Sequence, residues 1–362
     1  MRSSNEYARR LLAEIKKERK EISLMEVCGT HTMAIAKSGL RSLVPPNLKL
    51  LSGPGCPVCV TAQSDIDAII ELARIPGVTL VTFGDMMRVP GSTSSLVQEK
   101  AQGADVRVVY SPADALEIAL QNPERETVFL GIGFETTAPA VALTVEQAAA
   151  LGLTNFSVWS LHKLVGPALD AVFADETVKI DGLICPGHVS AVTGVKPYEP
   201  IVGRYRKPCV ITGFETVDIL EGIYLLLRQL SRGVAEIEIQ YRRVVRPEGN
   251  PLARAVIERV FVPAEADWRG LGVIPESGLE IREEYGTWDA RRKFAIPTRR
   301  EEPNNGCRCG EVLRGKLTPD QCPLFGRVCT PVEPVGPCMV SQEGACAAYY
   351  RFGLDADSRG FL

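Results

Sequence analysis

The sequence predicts an α/β fold with two related parallel-sheet domains and a cysteine-rich third domain. Three observations carry this. Short apolar runs alternate with helical segments from about residue 24 to 230, a four-residue string recurs after two of those runs, and six of the eleven cysteines crowd between 307 and 346. Strands alternating with helices at this spacing form parallel sheets covered on both faces. With 362 residues, 45% of them hydrophobic and 23% charged, the chain has material for two or three ordinary globular domains.

In chain order, residues 5 to 20 read as an amphipathic helix with Tyr7, Leu11, Leu12 and Ile15 on one stripe. LKLLS at 48–52 leads into GPGCPVC and a helix at 64–74, and VTLVTFG at 78–84 ends in DMMRVPGS. VRVVY at 106–110 precedes a helix at 112–121, and TVFLGIG at 127–133 runs into FETTAP and a helix to about 151. The alternation resumes with FSVWSL at 156–161, a helix near 166–174, GLICPGHVS at 182–190, KPCVITG at 207–213 and a helix from 216 to about 230. Beyond about 240 the texture turns Arg- and Pro-rich with fewer periodic runs. The expected domains are 21–138, 139–238, and a third formed by 1–20 with 239–362.

The recurring string is GFET, at 133–136 and again at 213–216. Both copies suit a strand-to-helix turn in which threonine caps the helix. Ligands of open α/β sheets bind at the carboxyl ends of strands, where both turns and GPGCPVC fall. Glu135 stands at such an edge, with Thr136 or Thr137 capping the helix that Pro139 begins.

A net charge of -3 and a pI near 5.9 give no reason to bind nucleic acid or an anionic membrane. The first twenty residues are charged throughout and lack the apolar core of a signal peptide, and no window approaches the roughly 18 apolar residues of a membrane span. A cytoplasmic protein is expected. There thiols stay reduced, so eleven cysteines argue for metal or redox chemistry over structural disulfides.

In the C-terminal segment Cys307 and Cys309 form a C-x-C pair, followed at wider gaps by Cys322, Cys329, Cys338 and Cys346. Structural zinc sites bring ligands as two close pairs, a pattern the last four cysteines lack. Four thiolates at intermediate spacing, with prolines turning the chain between them, suit an iron–sulfur cube better than zinc. The spacing does not say which four of the six are ligands. A leftover Cys307–Cys309 pair would be a tight disulfide able to exchange electrons with the cluster.

Near the N-terminus, CGTHT sets Cys28 three positions before His31, ahead of a helix; GPGCPVC sets Cys56 three positions before Cys59, ahead of another. A lone C-x-x-C serves equally a dithiol that closes to a disulfide and two ligands of one metal. Cysteines at helix starts feel the positive dipole end and unsatisfied amides, which lowers the thiol pKa. Taken alone, Cys28 reads as a small buried residue and His31 as a core or cap residue. Together with a glycine, two threonines and a second cysteine-bearing loop, they read as a site. Cys185 ends a buried strand, His188 lines the site from a mobile turn just beyond it, and Cys209 falls in the core. Neither a phosphate-binding loop nor a dinucleotide fingerprint occurs.

With MEVCGTHTMAI, LLSGPGCPVCV, GFETTAPA, CPGHVSAVTG and the closing cysteine-rich segment in order, residues 6 to 353 closely resemble the HypD family of hydrogenase maturation proteins. The resemblance implies a scaffold, formed with the small protein HypC, on which the Fe(CN)2(CO) unit of [NiFe]-hydrogenases is assembled. Cyanide would arrive as a thiocyanate on HypE, a transient partner. Cys28, Cys56 and Cys59 would hold or reduce at that iron, and Cys322, Cys329, Cys338 and Cys346 would carry a [4Fe-4S] cluster. Thiolates suit soft iron bearing cyanide and carbon monoxide, while glycine-turn amides, His31 or His188 would donate to cyanide nitrogens. Glu135 and His188 complete the expected site. The rival readings are a cluster-dependent protein disulfide reductase that never binds the cofactor iron, and a partner-binding protein with a structural zinc module.

Overall fold

A computed structural model describes residues 2–297 and 306–353, with side chains from residue 5. Parts of the expected third domain, 298–305 and 354–362, lie outside the described residues. In chain order the strands are β1 (Ile22–Glu26), β2 (Leu48–Ser52), β3 (Val78–Thr82), β4 (Asp105–Val108), β5 (Glu126–Gly131), β6 (Phe156–Ser160), β7 (Gly182–Pro186), β8 (Cys209–Thr212), β9 (Ile237–Ile239), β10 (Phe261–Trp268) and β11 (Gly272–Ile281). Contacts divide the chain into two compact units, Met1–Cys56 with Ala168–Asn250 and Cys307–Leu362, and Pro57–Pro167 with Pro251–Gly306. The boundaries drawn from the sequence at 138/139 and 238/239 do not coincide with these units. Local periodicity marks elements, but it carries no record of which distant strands pair.

The first unit holds a parallel sheet in the order β2-β1-β7-β8-β9. Leu24 of β1, Leu48 and Leu50 of β2, Ile184 and Val210 pack with Leu11 and Ile15 of the helix Arg2–Ile15 and with Ile219, Ile223 and Leu226 of the helix Thr216–Arg232. The first helix stops at Ile15, short of the expected 20, because KKERK offers no apolar stripe to bury. Alternate residues face the other way: a side chain at Gly315 would meet Met25 Cε at 2.7 Å and Leu51 Cδ1 at 3.3 Å. The cysteine-rich segment therefore lies against that face. It forms part of the first unit, with a small cluster of its own in Val312, Leu317 and Ala345. Lys316 anchors it further through a 2.7 Å ion pair with Asp175.

The second unit holds a parallel sheet in the order β4-β3-β5-β6 and the antiparallel hairpin β10-β11. Val81, Phe129 and Val158 of the sheet, Val141 and Val145 of the helix Ala138–Ala150, and Phe261, Leu279 and Ile281 of the hairpin share one core. Strands β1, β9, β10 and β11 go beyond the sequence reading. β1 is a short, nearly wholly buried run without alternation, and the exposed acids of β10 and β11 mask their pattern. No helix among the described residues is long and apolar enough to cross a membrane.

Candidate functional site

In the first unit β1 ends at Glu26, and the chain turns at Cys28, the extended residue preceding the helix Gly29–Lys37. A buried carboxylate organises this turn. Glu26 Oε2 accepts the Cys28 amide at 3.0 Å, and Oε1 accepts the Thr32 hydroxyl at 2.6 Å. Burial raises the Glu26 pKa, against the pull of these hydrogen bonds and of Arg41. The loop GPGCPVC is fixed to the same turn by main chain: Gly53 N–H donates to Glu26 O at 2.7 Å and Gly29 N–H to Gly55 O at 2.9 Å. A side chain on Gly55 would overlap the backbone of Val27 and Cys28, so only glycine permits this approach. Cys56 and Cys59 are joined by a disulfide, Cys59 lying in the short helix Pro57–Val60.

The Cys28 thiol is free, and its pKa is pushed up to about 12, opposite to the helix-start expectation. Desolvation dominates; the amides of His31 and Thr30 pull the pKa back without a formed cap hydrogen bond, and Glu343 and Glu26 push it further up. The resting sulfur is a protonated thiol.

His31 is wholly buried and stacks on Phe214 at 4.6 Å between centroids. Its Nε2 lies 2.9 Å from both Gly213 O and Thr212 Oγ1, while Nδ1 has no hydrogen-bond partner among the described residues. Desolvation lowers its pKa to about 4, leaving a neutral ring. Because a carbonyl only accepts, Nε2 carries the hydrogen and donates to Gly213. The expectation that His31 donates to cyanide is thereby corrected: its donor is committed to Gly213. His188 sits in the first turn of the helix Gly187–Thr193, where the sequence reading expected a mobile turn, and its exposed ring stacks on Phe214 at 3.9 Å.

All six C-terminal cysteines line one pocket of the first unit, walled by Val312, Leu324, Phe325 and Met339. None of the six is in a disulfide. Cys307 hydrogen-bonds with Cys309, and Cys338 with Cys309 and Cys346; these contacts and burial raise the Cys307 and Cys338 pKa values. No group of three ligating side chains among the described residues stands in a ready-made metal cage. The donor set nevertheless fits a thiolate-held cluster: sulfurs converge in an apolar pocket, Val335 N–H donates to Cys329 Sγ at 3.3 Å, and a side chain on Gly336 would overlap Cys307 Sγ. Cys307 and Cys309 share this pocket with the other four, so the geometry does not set them apart as a separate pair.

The HypD family model, described as the hydrogenase formation hypA family, matches residues 5–353. The chain belongs to the HypD family. It is 49% identical over 358 residues to the hydrogenase expression/formation protein HupD of Azotobacter chroococcum, covering 97% of this chain and 94% of that protein. It is also 48% identical over 356 residues to the hydrogenase maturation factor HypD of Azotobacter vinelandii (96% and 94% covered), and 47% identical over 332 residues to that of Escherichia coli K12 (91% and 89% covered). This chain is accordingly a hydrogenase maturation factor.

Two carboxylates of this HypD-family site escaped the sequence reading. Glu26 reads as the polar end of an apolar run. Glu343, inside the closing segment SQEGAC, accepts the Thr30 hydroxyl at 2.9 Å, and a side chain on Gly29 would overlap its Cβ. It ties the cysteine-rich segment to the CGTHT turn. Its only sequence signal is a lone acid among small residues. Cys185 and Cys209 are buried neighbours on β7 and β8, as the core reading has them.

Glu135 belongs to the second unit, where it is buried. Its Oε1 accepts the Val165 amide at 3.0 Å, and Oε2 has no partner among the described residues. Thr137 precedes the helix Ala138–Ala150 without capping it; its hydroxyl donates to Phe134 O at 3.1 Å. In the second GFET the capping residue is Glu215, not a threonine. Gly133 is required in the first, since its φ is 152° and a side chain would overlap Thr137 Oγ1.

Desolvation raises the Glu135 pKa from 4.5 to about 7. The native state therefore keeps a proton that the unfolded chain releases, and stability from this group falls as pH rises from 4.5 through about 7. The whole effect is about 3 kcal/mol. Glu135→Gln should flatten this part of the melting-temperature profile against pH; an unchanged slope would show that another group sets it.

Proposed function

We propose that this chain is the scaffold on which, together with HypC, iron receives two cyanides and one carbon monoxide for [NiFe]-hydrogenase. The observation that carries this reading is the joining of the Cys28 turn to the glycine stretch just before Cys56 by two main-chain hydrogen bonds, so that the turn with the Cys28 thiol and the loop with Cys56 run side by side. Cys28, Cys56 and Cys59 serve the incoming iron as soft thiolate ligands. The Cys28 thiol must lose its proton to bind, and a metal ion at the sulfur drives that loss.

Releasing cyanide from a protein thiocyanate takes two electrons: the S–C bond breaks, cyanide passes to iron and the donor sulfur leaves as a thiol. For each cyanide the reduced Cys56–Cys59 pair, as thiols not bound to iron at that step, supplies both electrons and two protons, one to the departing thiol and one to solvent, and closes to the disulfide. Two one-electron reductions from an external electron donor, which the bound cluster would relay, reopen the pair before the second cyanide. HypE is the cyanide donor in this reading. Cys322, Cys329, Cys338 and Cys346 hold a [4Fe-4S] cluster, which when bound supplies one-electron redox chemistry. Glu26 and Glu343 hold the turn, and glycine-loop amides with His188 supply donors to cyanide nitrogens.

The disulfide favours one other reading, a cluster-dependent reductase of a protein disulfide in which Cys56 and Cys59 never bind iron. Iron content separates them. Purified anaerobically, the chain alone should carry about four irons and broad visible absorbance, and with HypC one iron more; no gain with HypC favours the reductase, and a colourless zinc protein sinks both. Cys338→Ala, which removes one of the four cluster thiolates, should lose the four irons while the Cys56–Cys59 disulfide still forms.

A further inference from the structure

The side chain of Gln240 fixes the turn on which His31 leans. Its backbone is pinned to the sheet, Gln240 N–H and Tyr241 N–H both donating to Ile211 O at 2.9 and 3.1 Å. Its amide nitrogen donates to Asp218 Oδ1 at 2.9 Å and Glu221 Oε2 at 3.0 Å. Two carboxylates on one end leave no doubt about which end is NH2, so the carboxamide oxygen faces the other way. That oxygen accepts the Gly213 amide at 3.1 Å. Asp218 is held in turn by Arg243, whose two terminal nitrogens reach its two oxygens.

Gly213 is thus clamped. Its N–H is held by Gln240, and a side chain there would overlap Asp218 Oδ2 and come within 2.7 Å of the Tyr241 ring. Its carbonyl is the group that accepts from His31 Nε2. Thr212 Oγ1, also 2.9 Å from Nε2, cannot choose the tautomer, because a hydroxyl donates or accepts equally well. The choice falls to the carbonyl, and so to whatever holds the carbonyl still.

We propose that Gln240 is a positioning residue of this site: by clamping Gly213 it commits His31 to the Nε2–H tautomer and keeps Nδ1 as a buried hydrogen-bond acceptor in the CGTHT turn. Gln240 touches neither cysteine nor incoming iron; it acts through Gly213 and His31. This rests on the reading that the CGTHT turn is the assembly site, and it sharpens the role of His31 there. A ring fixed in this way presents a bare acceptor at Nδ1 and has no hydrogen to offer a cyanide nitrogen. The same clamp holds the backbone beside Phe214, on which both His31 and His188 stack.

The chain has only three histidines, so nitrogen-15 labelling of histidine resolves every ring nitrogen. In the full-length, iron-free protein, two-bond nitrogen–proton spectra should show His31 as one tautomer, protonated at Nε2. Gln240→Met, of similar length without hydrogen-bonding ends, should bring in the Nδ1–H form of His31 and lower hydrogenase maturation, leaving the His162 pattern unchanged. Thr212→Val should leave the Nε2–H tautomer in place. An Nδ1–H ring in the unaltered protein overturns the proposal without any variant having to fold, and so does a His31 pattern indifferent to Gln240→Met. If Gln240→Met changes the tautomer while maturation proceeds at full rate, the clamp stands and the placing of His31 in the assembly site fails.

Discussion

Cys28→Ala should abolish hydrogenase maturation while leaving the fold in place. The Cys28 side chain makes no cap hydrogen bond, so truncating it spares the start of the helix Gly29–Lys37. The main-chain bonds that shape the turn all persist: Glu26 Oε2 with the residue 28 amide at 3.0 Å, the residue 28 carbonyl with Thr32 N–H at 3.0 Å, and Gly29 with Gly55 at 2.9 Å. The melting temperature should fall by only a few degrees, about 1 kcal/mol for removing one part-buried sulfur. With Cys28 as the proposed iron ligand, activity should fall beyond the roughly 10–100-fold that loss of an outer-shell partner costs. Hydrogenase activity restored to cells lacking their own copy of this factor, read beside the melting temperature, checks both halves. A large melting shift would make Cys28 structural.

Gly55→Ala should give the converse pattern, a loss of both stability and maturation. The added methyl would overlap the backbone of Val27 and Cys28, which Glu26 and the Gly29–Gly55 hydrogen bond hold in place. Backbone cannot step aside as a flexible side chain can, so the GPGCPVC loop must lift away from the Cys28 turn. Overpacking of this kind costs about 1–3 kcal/mol, and the thiol and the dithiol separate. Gly203→Ala is the matched control. Gly203 lies in the helix Glu199–Tyr205 with open space around it, and alanine there should stabilise by about 0.5–1 kcal/mol. Thermal melting of both variants, with maturation assays, reads the contrast. Equal behaviour would mean that the close approach of the two loops carries no function.

Much of this was legible from local pattern. LKLLS at 48–52 and the helix at 112–121 stand where the sequence reading put them. The strands in TVFLGIG and FSVWSL keep their starts within a residue of the reading. Both GFET strings follow internal strands of their sheets, although their capping chemistry differs. What local pattern does not carry is long-range pairing. β1 runs beside β7, about 160 residues away, and no feature of ISLME announces that neighbour. The same limit hid the cysteine-rich segment's place against Met25 and Leu51.

Site residues divide along the same line. Cys28, His31, Cys56 and Cys59 announce themselves by residue type and spacing, whereas Glu26 and Glu343 become meaningful only through the amide and hydroxyl groups folded onto them. The thiol pKa shows one physical effect overruling another. Helix-start amides do lower the Cys28 pKa, as sequence logic holds, but desolvation is the larger effect and the outcome is about 12. His31 is the clearest case: its residue type suggests a donor, and only the position of Gly213 O reveals that Nε2–H is already spoken for.

Infrared spectroscopy of the complex with HypC, purified anaerobically from cells making hydrogenase, tests the central claim most directly. Cyanide and carbonyl stretching bands should appear in the complex of the unaltered chain and disappear in Cys28→Ala. Bands that persist when Cys28, Cys56 and Cys59 are all replaced would contradict it, because the iron would then be held elsewhere.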